Sequence, residues 1–239
     1  MIITTQRQLE EAVQYFGVLP FFRNKIRGFS IEEMTPPSLL FGGNEYEGCW
    51  EWKGPVVRQR TSAYGKFFHK KAGFVSKSLL PYFLKFRREG NMLKPGTIDE
   101  MIYDIISFND KMSSTELRES MLGTKRRRTP FDLPDIEESN SSLIPMQETK
   151  KPSRHSLDGP LQRLQMAGRL CISDFRYKLT SRGERYGWGV AEYSTPETLF
   201  PELELPELSA EECLNHMVET VGKRFKRATE QQLIFLLKS

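Results

Sequence analysis

Hydrophobic positions change their period twice between residues 157 and 193 of this 239-residue chain. Leucines recur at helical spacing over residues 157–164, and Gly168 ends that pattern. Apolar and polar residues then alternate at 170–172, as in a half-buried strand, and residues 187–193 predict a second strand. The pattern therefore predicts a helix followed by a hairpin with a basic loop. The cations of that loop are Arg176, Lys178, Arg182 and Arg185.

Two more helices are predicted just upstream. Thr97 with Glu100 and Ser113 with Glu116 have the spacing of capping boxes, in which a side chain at each end bonds the other residue's backbone N–H. The apolar stripes that follow them consist of Met101, Ile102, Ile105, Ile106, Leu117 and Met121. Three helices and then two strands around a basic loop is the order of a winged helix-turn-helix, which we place at residues 97–200.

Residues 1–96 predict a separate α+β region. The apolar pattern favours helices at 5–16 and 78–90, and a capping-box pattern at Ser30 predicts a short helix that is stopped by Pro36 and Pro37. Residues 49–53, the sequence CWEWK, predict a strand with both tryptophans on one face, and residues 64–76 predict a hairpin. The fold class expected is thus α+β and mostly helical, with the winged helix-turn-helix following this N-terminal region.

A long insertion separates the second and third helices of the winged-helix unit. Residues 124–155 are poor in aromatic residues and divide into basic and acidic blocks, so we predict a flexible segment with little regular structure. Its basic block is Lys125, Arg126, Arg127 and Arg128. Beyond it, residues 201–239 predict an extended link and two helices, at 209–222 and 229–237.

Composition narrows the function classes. The three cysteines are widely spaced, which favours a reducing, cytoplasmic setting over a disulfide or zinc framework. The three histidines have no Cys, Asp or Glu at ligand spacing, and no nucleotide-binding or hydrolase motif occurs, so we expect neither a metal nor a cofactor. The formal net charge of +4 is compatible with a polyanionic partner.

The arrangement of polar residues points to DNA as that partner. Cations on the wing would neutralise phosphates beside the groove that the third helix enters. On that helix the apolar stripe is predicted to leave Gln162, Arg163 and Gln165 facing outward, where they would donate to bases or phosphates. Two further groups are candidate phosphate ligands. They are the block Lys125–Arg128 and the residues Lys66, Lys70 and Lys71, which alternate with aromatic residues. The alternative to DNA binding is structural. The wing cations would then belong to a solvated hairpin tip, and the N-terminal lysines to a half-buried strand whose aromatic residues lie in the core.

One block of the sequence resembles a known family. The run WEWKGPVVRQRTSAYGKFFHKKAGFVSKSLLPYFLKF, Trp50 to Phe86, is similar to the corresponding block of AlkZ-related proteins, a branch of the bacterial winged-helix DNA glycosylases. STELRESMLG and LQRLQMAGRLCIS resemble the second and third winged-helix elements of that branch. VGKRFKRATEQQLIFLL resembles the start of a further, partial winged-helix unit. The resemblance implies winged-helix architecture, a bacterial protein and DNA as the ligand.

The resemblance does not imply that this chain excises bases. Active glycosylases of the family position the attacking water with Gln-apolar-Gln or Gln-apolar-Asp, and the nearest match here, Gln6-Arg7-Gln8, has a basic centre inside the first helix. The expected motif region, residues 18–29, contains no Gln, Asp or Glu. Its polar residues are Asn24 and three cations that would bind a phosphate, Arg23, Lys25 and Arg27.

We therefore predict a protein related to DNA repair that binds duplex or damaged DNA without base excision. Two alternatives stay open, an active glycosylase using other residues and a winged helix that contacts a protein partner. The sequence leaves the lesion, the DNA sequence and the oligomeric state open.

Overall fold

The computed structural model describes residues 1–42, 47–122, 157–183 and 185–238. These residues form an α+β fold, and their strands lie in one antiparallel sheet. Its helices are α1 (Gln6–Phe16), α2 (Ile31–Met34), α3 (Pro37–Leu40), α4 (Cys49–Arg58), α5 (Leu80–Glu89), α6 (Ile98–Phe108), α7 (Ser114–Leu122), α8 (Asp158–Met166), α9 (Pro196–Leu199), α10 (Ala210–Arg224) and α11 (Glu230–Leu237). Its strands are β1 (Val18–Pro20), β2 (Ser62–Phe68), β3 (Lys71–Ser76), β4 (Lys111–Ser113), β5 (Cys171–Leu179) and β6 (Arg185–Ser194).

The six strands form a single sheet in the order β1-β3-β2-β5-β6-β4. Two hairpins, β2–β3 and β5–β6, lie side by side in it. They are joined where Tyr64 of β2 pairs with Ile172 of β5. The N-terminal hairpin and the basic hairpin are therefore held in one sheet, and this fixes the position of one relative to the other.

Local sequence signals set most of the element ends. Thr5 caps α1 by accepting a hydrogen bond from the N–H of Gln8 at 3.2 Å, and Ser30 accepts from Glu33 at the start of α2. The predicted helices at 5–16 and 78–90, the short helix predicted from Ser30 and the predicted hairpin at 64–76 are confirmed, with small shifts of the ends. The two prolines do end α2, but the second of them begins α3, because proline fits the first turn of a helix.

The predicted strand at 49–53 is wrong, because these residues begin helix α4. Glu51 accepts the N–H of Gly48 at 3.1 Å and so stabilises the start of the helix. The side chains of Cys49, Trp52 and Val56 are buried, and their spacing of three and four residues is the period of a helix. Trp50 and Trp52 are two residues apart, which fits the period of a strand, but so short a stretch does not distinguish a strand from a helix.

Helix α4 and the segment after it contact strand β5 of the basic hairpin. Arg58 forms an ion pair with Asp174 of β5 at 2.8 Å, and Arg60 donates to the carbonyl of Ser173 at 2.9 Å. The buried amine of Lys53 lies 4.5 Å from the centre of the Phe175 ring, and its burial lowers the pKa of Lys53 to about 8. Strand β5 is thus fixed from the N-terminal side by several polar contacts.

Within residues 97–200 the elements follow in the order α6, β4, α7, α8, β5 and β6. The predicted caps are present, since Thr97 accepts from Glu100 at 3.3 Å and Ser113 accepts from Glu116 at 3.2 Å. Strands β4 and β5 flank β6. The three helices share a core distinct from the larger one. Its buried residues are Ile102, Ile106, Leu117, Leu157, Leu161, Leu164 and Leu170.

The basic hairpin differs from the prediction in its length. Arg176 and Lys178 lie within β5 and Arg185 begins β6, so of the four predicted loop cations only Arg182 lies in the turn. Polar residues at alternate positions extend a strand as readily as they form a loop, and backbone pairing decided the outcome here. The insertion 124–155, including Lys125–Arg128, lies outside the described residues.

The C-terminal helices pack on the N-terminal region. Both predicted helices are present, and each begins with a capping box, at Ser209 and at Thr229. Helix α10 lies against α5 and α1. Between α10 and α11 the ring of Phe225 packs against Phe29, with the ring centres 4.7 Å apart. The chain end therefore completes the larger core around the N-terminal region.

Candidate nucleic-acid interface

The polar residues of α8 contact the N-terminal hairpin. The side chain of Gln165 is buried, its Oε1 accepts the N–H of Lys66 at 3.0 Å, and its Nε2 donates to the carbonyl of Leu161 at 2.9 Å. A Cβ at Gly65 would lie 3.3 Å from Gln165 Oε1, so a glycine there permits the close approach of helix and strand. The prediction that Gln165 faces outward is wrong, because this amide bridges α8 and β2.

The other two polar residues of α8 also have intramolecular partners. Gln162 is half-buried and its Nε2 lies 3.4 Å from the carbonyl oxygen of Lys70. Arg163 is exposed, but its guanidinium donates twice to the carboxylate of Asp99, at 2.8 and 2.6 Å. A two-point pair of this kind is geometrically well defined. Arg163 would have to share or leave that carboxylate before binding a phosphate.

A matched pair of variants tests the structural role of Gln165. We expect Gln165→Ala to lower the free energy of unfolding by about 1–3 kcal/mol, because it removes a buried amide that accepts the N–H of Lys66 and donates to the carbonyl of Leu161. Gln162→Ala, one turn away with a single 3.4 Å contact, is the control and should change stability little. Urea denaturation measures both. Equal stabilities for the two variants would contradict this assignment.

On the basic hairpin, Arg176 is held by two carboxylates. It donates to Glu116 of α7 at 2.7 Å and makes a second, shorter contact with the nearly buried Glu192 of β6. The backbone N–H of Ser113 and then the Arg176 guanidinium lower the pKa of Glu116 to about 2, so that this carboxylate stays charged. Arg182 is exposed in the turn. The positive charge of Arg176 is therefore already balanced within the protein.

The turn between β2 and β3 presents cations of a different kind. Lys66, Lys70 and Lys71 are exposed, and none of them forms an ion pair with a carboxylate in the part of the chain that the structure describes. His69 and Lys70 have positive φ values of 47° and 66°, which is the conformation of a tight turn. The amine of Lys71 donates to the carbonyl of Arg23 at 2.9 Å. The β2–β3 hairpin thus carries three exposed cations, and one of them, Lys71, contacts the loop that follows β1.

A cavity of about 500 Å³ lies between that loop, the β2–β3 turn and α11. Its apolar lining includes Pro20, Phe22, Ile26, Phe68 and Leu236. The cations that line it are Arg23, Lys25 and Lys71, His69 lines it as well, and none of its lining residues is Asp or Glu. An apolar hollow with cations beside it suits an anionic ligand that has a flat apolar part.

Phe235 of α11 lies at this cavity with two polar groups against its ring. The His69 ring stacks on it with the centres 4.2 Å apart, and the amine of Lys25 lies 3.7 Å from its centre. His69 Nε2 is also 2.9 Å from the carbonyl oxygen of Phe235. These contacts connect three separate segments of the chain around one hollow.

The two amides at the cavity are both occupied by the backbone. Asn24 donates to the carbonyl of Phe29 at 2.7 Å and accepts the N–H of Ile26 at 2.8 Å. Gln232 accepts the N–H of Thr229 at 2.9 Å and donates to the carbonyl of Lys25 at 3.3 Å. Both amides shape the walls of the cavity. Gln6 and Gln8, the nearest match to a glycosylase motif, do not line it.

The C-terminal helices contribute to this site, although nothing in the sequence predicted it. Gln232 and Phe235 line the cavity, and Lys226 and Arg227 are exposed in the segment just before α11. The run KRFKR at 223–227, four cations around one aromatic residue, is a local signal of a basic surface. Its position beside residues 23–27 depends on tertiary packing and could not be inferred from spacing.

The described residues contain neither a cluster of metal ligands nor a membrane-spanning helix. Within residues 1–42, 47–122, 157–183 and 185–238, no three His, Cys, Asp or Glu side chains are grouped so as to hold a metal. The three cysteines are separate buried thiols. Among the same residues no helix has both the length and the apolar character needed to cross a bilayer.

Comparison with known proteins matches nearly the whole chain to one family. The model of the family described as AlkZ related matches residues 3–238. No curated protein and no solved structure matches this chain. The family match covers the N-terminal region, the basic hairpin and the C-terminal helices alike.

Proposed function

This chain belongs to the AlkZ-related family, and from that membership we propose that it binds duplex or damaged DNA without excising bases. The family relation to DNA repair glycosylases supplies the class of ligand. The geometry around the cavity supplies the surface on which this proposal rests. A cytoplasmic location, expected from the reduced cysteines, is compatible with such a role.

The proposal includes winged-helix architecture for residues 97–200. The order helix, strand, helix, helix, strand, strand supports it, as do the flanking of β6 by β4 and β5 and the separate three-helix core. Residues 1–96 are then the N-terminal α+β region, and residues 201–239 correspond to a partial second unit. In this architecture the β5–β6 hairpin is the wing, with Arg182 in its turn and Lys178 and Arg185 on its strands.

The single observation that carries the proposal is the set of cations at the cavity. Lys25 and Lys71 line it without a carboxylate partner among the described residues, and Lys66 and Lys70 are exposed on the adjoining strand and turn. Arg23 shares Glu32 at 3.5 Å. Cations that have no acidic partner in the described part of the protein are available to phosphates. When such cations bind DNA phosphates, counterions condensed on the DNA are released.

Binding without turnover is supported by the lining of the same cavity. Its amides are engaged with backbone groups, and its charged residues are cationic. A site that hydrolyses a glycosidic bond needs a group that positions water close to a cationic sugar. The cavity therefore suits a nucleotide's phosphate and base better than the chemistry of excision.

A titration of the purified chain against duplex, bulged and abasic-site DNA at two salt concentrations tests the proposal. We expect binding to all three DNAs, with log K falling linearly in log salt at about 0.9 per phosphate contact. An uncharged peptide nucleic acid duplex of the same sequence is the control and should not bind. Failure to bind any of the three DNAs would contradict the proposal and favour the protein-interaction alternative.

A further inference from the structure

We infer that a second phosphate-binding cluster lies where the loop after β1 meets the segment between α10 and α11. The cluster consists of Arg27, Lys226 and Arg227, which we call the C-terminal basic cluster. This inference rests on the proposed function and extends the DNA-binding surface beyond the cavity to the C-terminal helices. None of the three residues lines the cavity or belongs to the basic hairpin.

The two segments that carry the cluster are fixed against each other. The ring of Phe225 packs on Phe29 at 4.7 Å and on Phe16 at 6.0 Å between ring centres. Gly28, with φ of 78°, lies beside Phe225, because a Cβ there would be in ordinary van der Waals contact with the ring, at 3.9 Å. The neighbours of these anchors, Arg27 on one segment and Lys226 on the other, are therefore held on the same part of the surface.

The charges of the cluster are not neutralised by carboxylates in the described part of the chain. Arg27, Lys226 and Arg227 are exposed and form no ion pair there. Other nearby cations do have partners: Lys223 pairs with Glu219 at 2.6 Å, and Arg224 lies 3.4 Å from the carbonyl oxygen of Gln14. The contrast separates cations that bond within the protein from three that face solvent.

The two acidic residues that follow the loop, Glu32 and Glu33 of α2, already bond to groups of the loop and of the helix start. Glu32 pairs with Arg23 and accepts its N–H at 2.9 Å. Glu33 accepts the N–H of Gly28 at 3.0 Å and the hydroxyl of Ser30 at 2.7 Å. Both carboxylates therefore serve the loop itself. The charge of this loop that remains available to a ligand in the C-terminal basic cluster is the exposed cation Arg27. A positive group suits the sugar-phosphate backbone of a DNA strand.

The C-terminal basic cluster is close to the cavity in two ways: its residues are near lining residues in the sequence, and a hydrogen bond connects the loop after β1 to α11. Arg27 follows Lys25 and Ile26 of the lining, and Gln232, which donates to the carbonyl of Lys25, lies one helical turn and a short link beyond Arg227. A strand whose nucleotide meets the cavity would thus have its next phosphates within reach of the cluster. The cavity and the cluster together give one extended site for a polyanion.

A triple variant, Arg27→Gln with Lys226→Gln and Arg227→Gln, tests this inference on the full chain. We expect weaker binding to every duplex and a salt dependence shallower by about 2.7, from three lost contacts at about 0.9 each. The matched control removes three exposed charges elsewhere, as Arg7→Gln with Lys77→Gln and Lys94→Gln, and should leave the slope nearly unchanged. Circular dichroism and Tm establish that both variants fold.

A third variant keeps every charge, as Arg27→Lys with Lys226→Arg and Arg227→Lys, and should retain the slope of the parent chain. A triple Gln variant that binds like the matched control would overturn the inference while leaving the proposed function intact. The inference is equally overturned if the charge-keeping variant loses as much slope as the Gln variant. If the parent chain itself binds no DNA, the proposed function fails and this inference fails with it.

Discussion

Removing the charges of Lys66, Lys70 and Lys71 is expected to make the salt dependence of DNA binding shallower by about 2.7. The reason is that all three side chains are exposed and lack a carboxylate partner among the described residues, so each can release counterions from a phosphate. The measurement is a fluorescence-anisotropy titration of the variant Lys66→Gln, Lys70→Gln and Lys71→Gln across several salt concentrations. Affinity should fall for all DNA sequences alike, because phosphates carry no sequence information.

Arg176→Gln is the control for that experiment. Its guanidinium is shared by Glu116 and Glu192, and breaking those contacts would offset most of what a phosphate contributes. We therefore expect Arg176→Gln to change the slope of log K against log salt by much less than about 0.9, the value for one phosphate contact. A slope that responds to Arg176 and not to the three lysines would transfer the binding surface to the basic hairpin.

Much of the secondary structure was predictable because its signals are local. The capping residues Thr5, Ser30, Thr97 and Ser113 marked helix starts, since an N-cap side chain acts within its own turn. The exchange of helical for alternating periodicity after Gly168 located the third helix and the hairpin. Such signals need no knowledge of the rest of the fold.

Tertiary packing decided the features that the sequence analysis missed. Residues 49–53 fit either period over so short a stretch, and burial of Cys49, Trp52 and Val56 on one helix face resolved the choice. Gln165 lies opposite Gly65 of β2, and no spacing along the chain indicates that a strand so far upstream covers this face of α8. A helix face that is polar in sequence can thus be a buried contact.

The candidate site was predictable only in its charges. Lys66, Lys70 and Lys71 and the cations of residues 23–27 were named from the sequence as candidate phosphate ligands, and this assignment stays a prediction. Their convergence with Gln232 and Phe235 depends on contacts between distant segments, such as the stacking of His69 on Phe235. Spacing within one segment carries no information on such contacts.

The absence of base excision is the second expected result, and it follows from the electrostatics of the cavity. Hydrolysis of a glycosidic bond develops positive charge on the sugar, which a carboxylate or an oriented water stabilises. The charged groups at this cavity, Arg23, Lys25 and Lys71, would repel that charge while attracting the phosphate. The two amides, Asn24 and Gln232, have their oxygens occupied by backbone N–H groups, so neither has its oxygen oriented towards an attacking water.

The assay incubates the purified chain with duplexes carrying alkylated purines or an interstrand crosslink, followed by hot alkali to cut abasic sites. We expect no cleavage above a heat-killed control under conditions where the same protein binds the same duplex. Extrusion of a base costs a few kcal/mol, so a bulged substrate, in which that cost is reduced, gives excision its best opportunity. Cleavage that disappears in Asn24→Ala, Gln232→Ala, Gln6→Ala or Gln8→Ala would reveal an active site and refute the prediction. Binding without cleavage on the bulged substrate would instead limit the cavity to recognition, since its cations favour the phosphate and oppose the transition state.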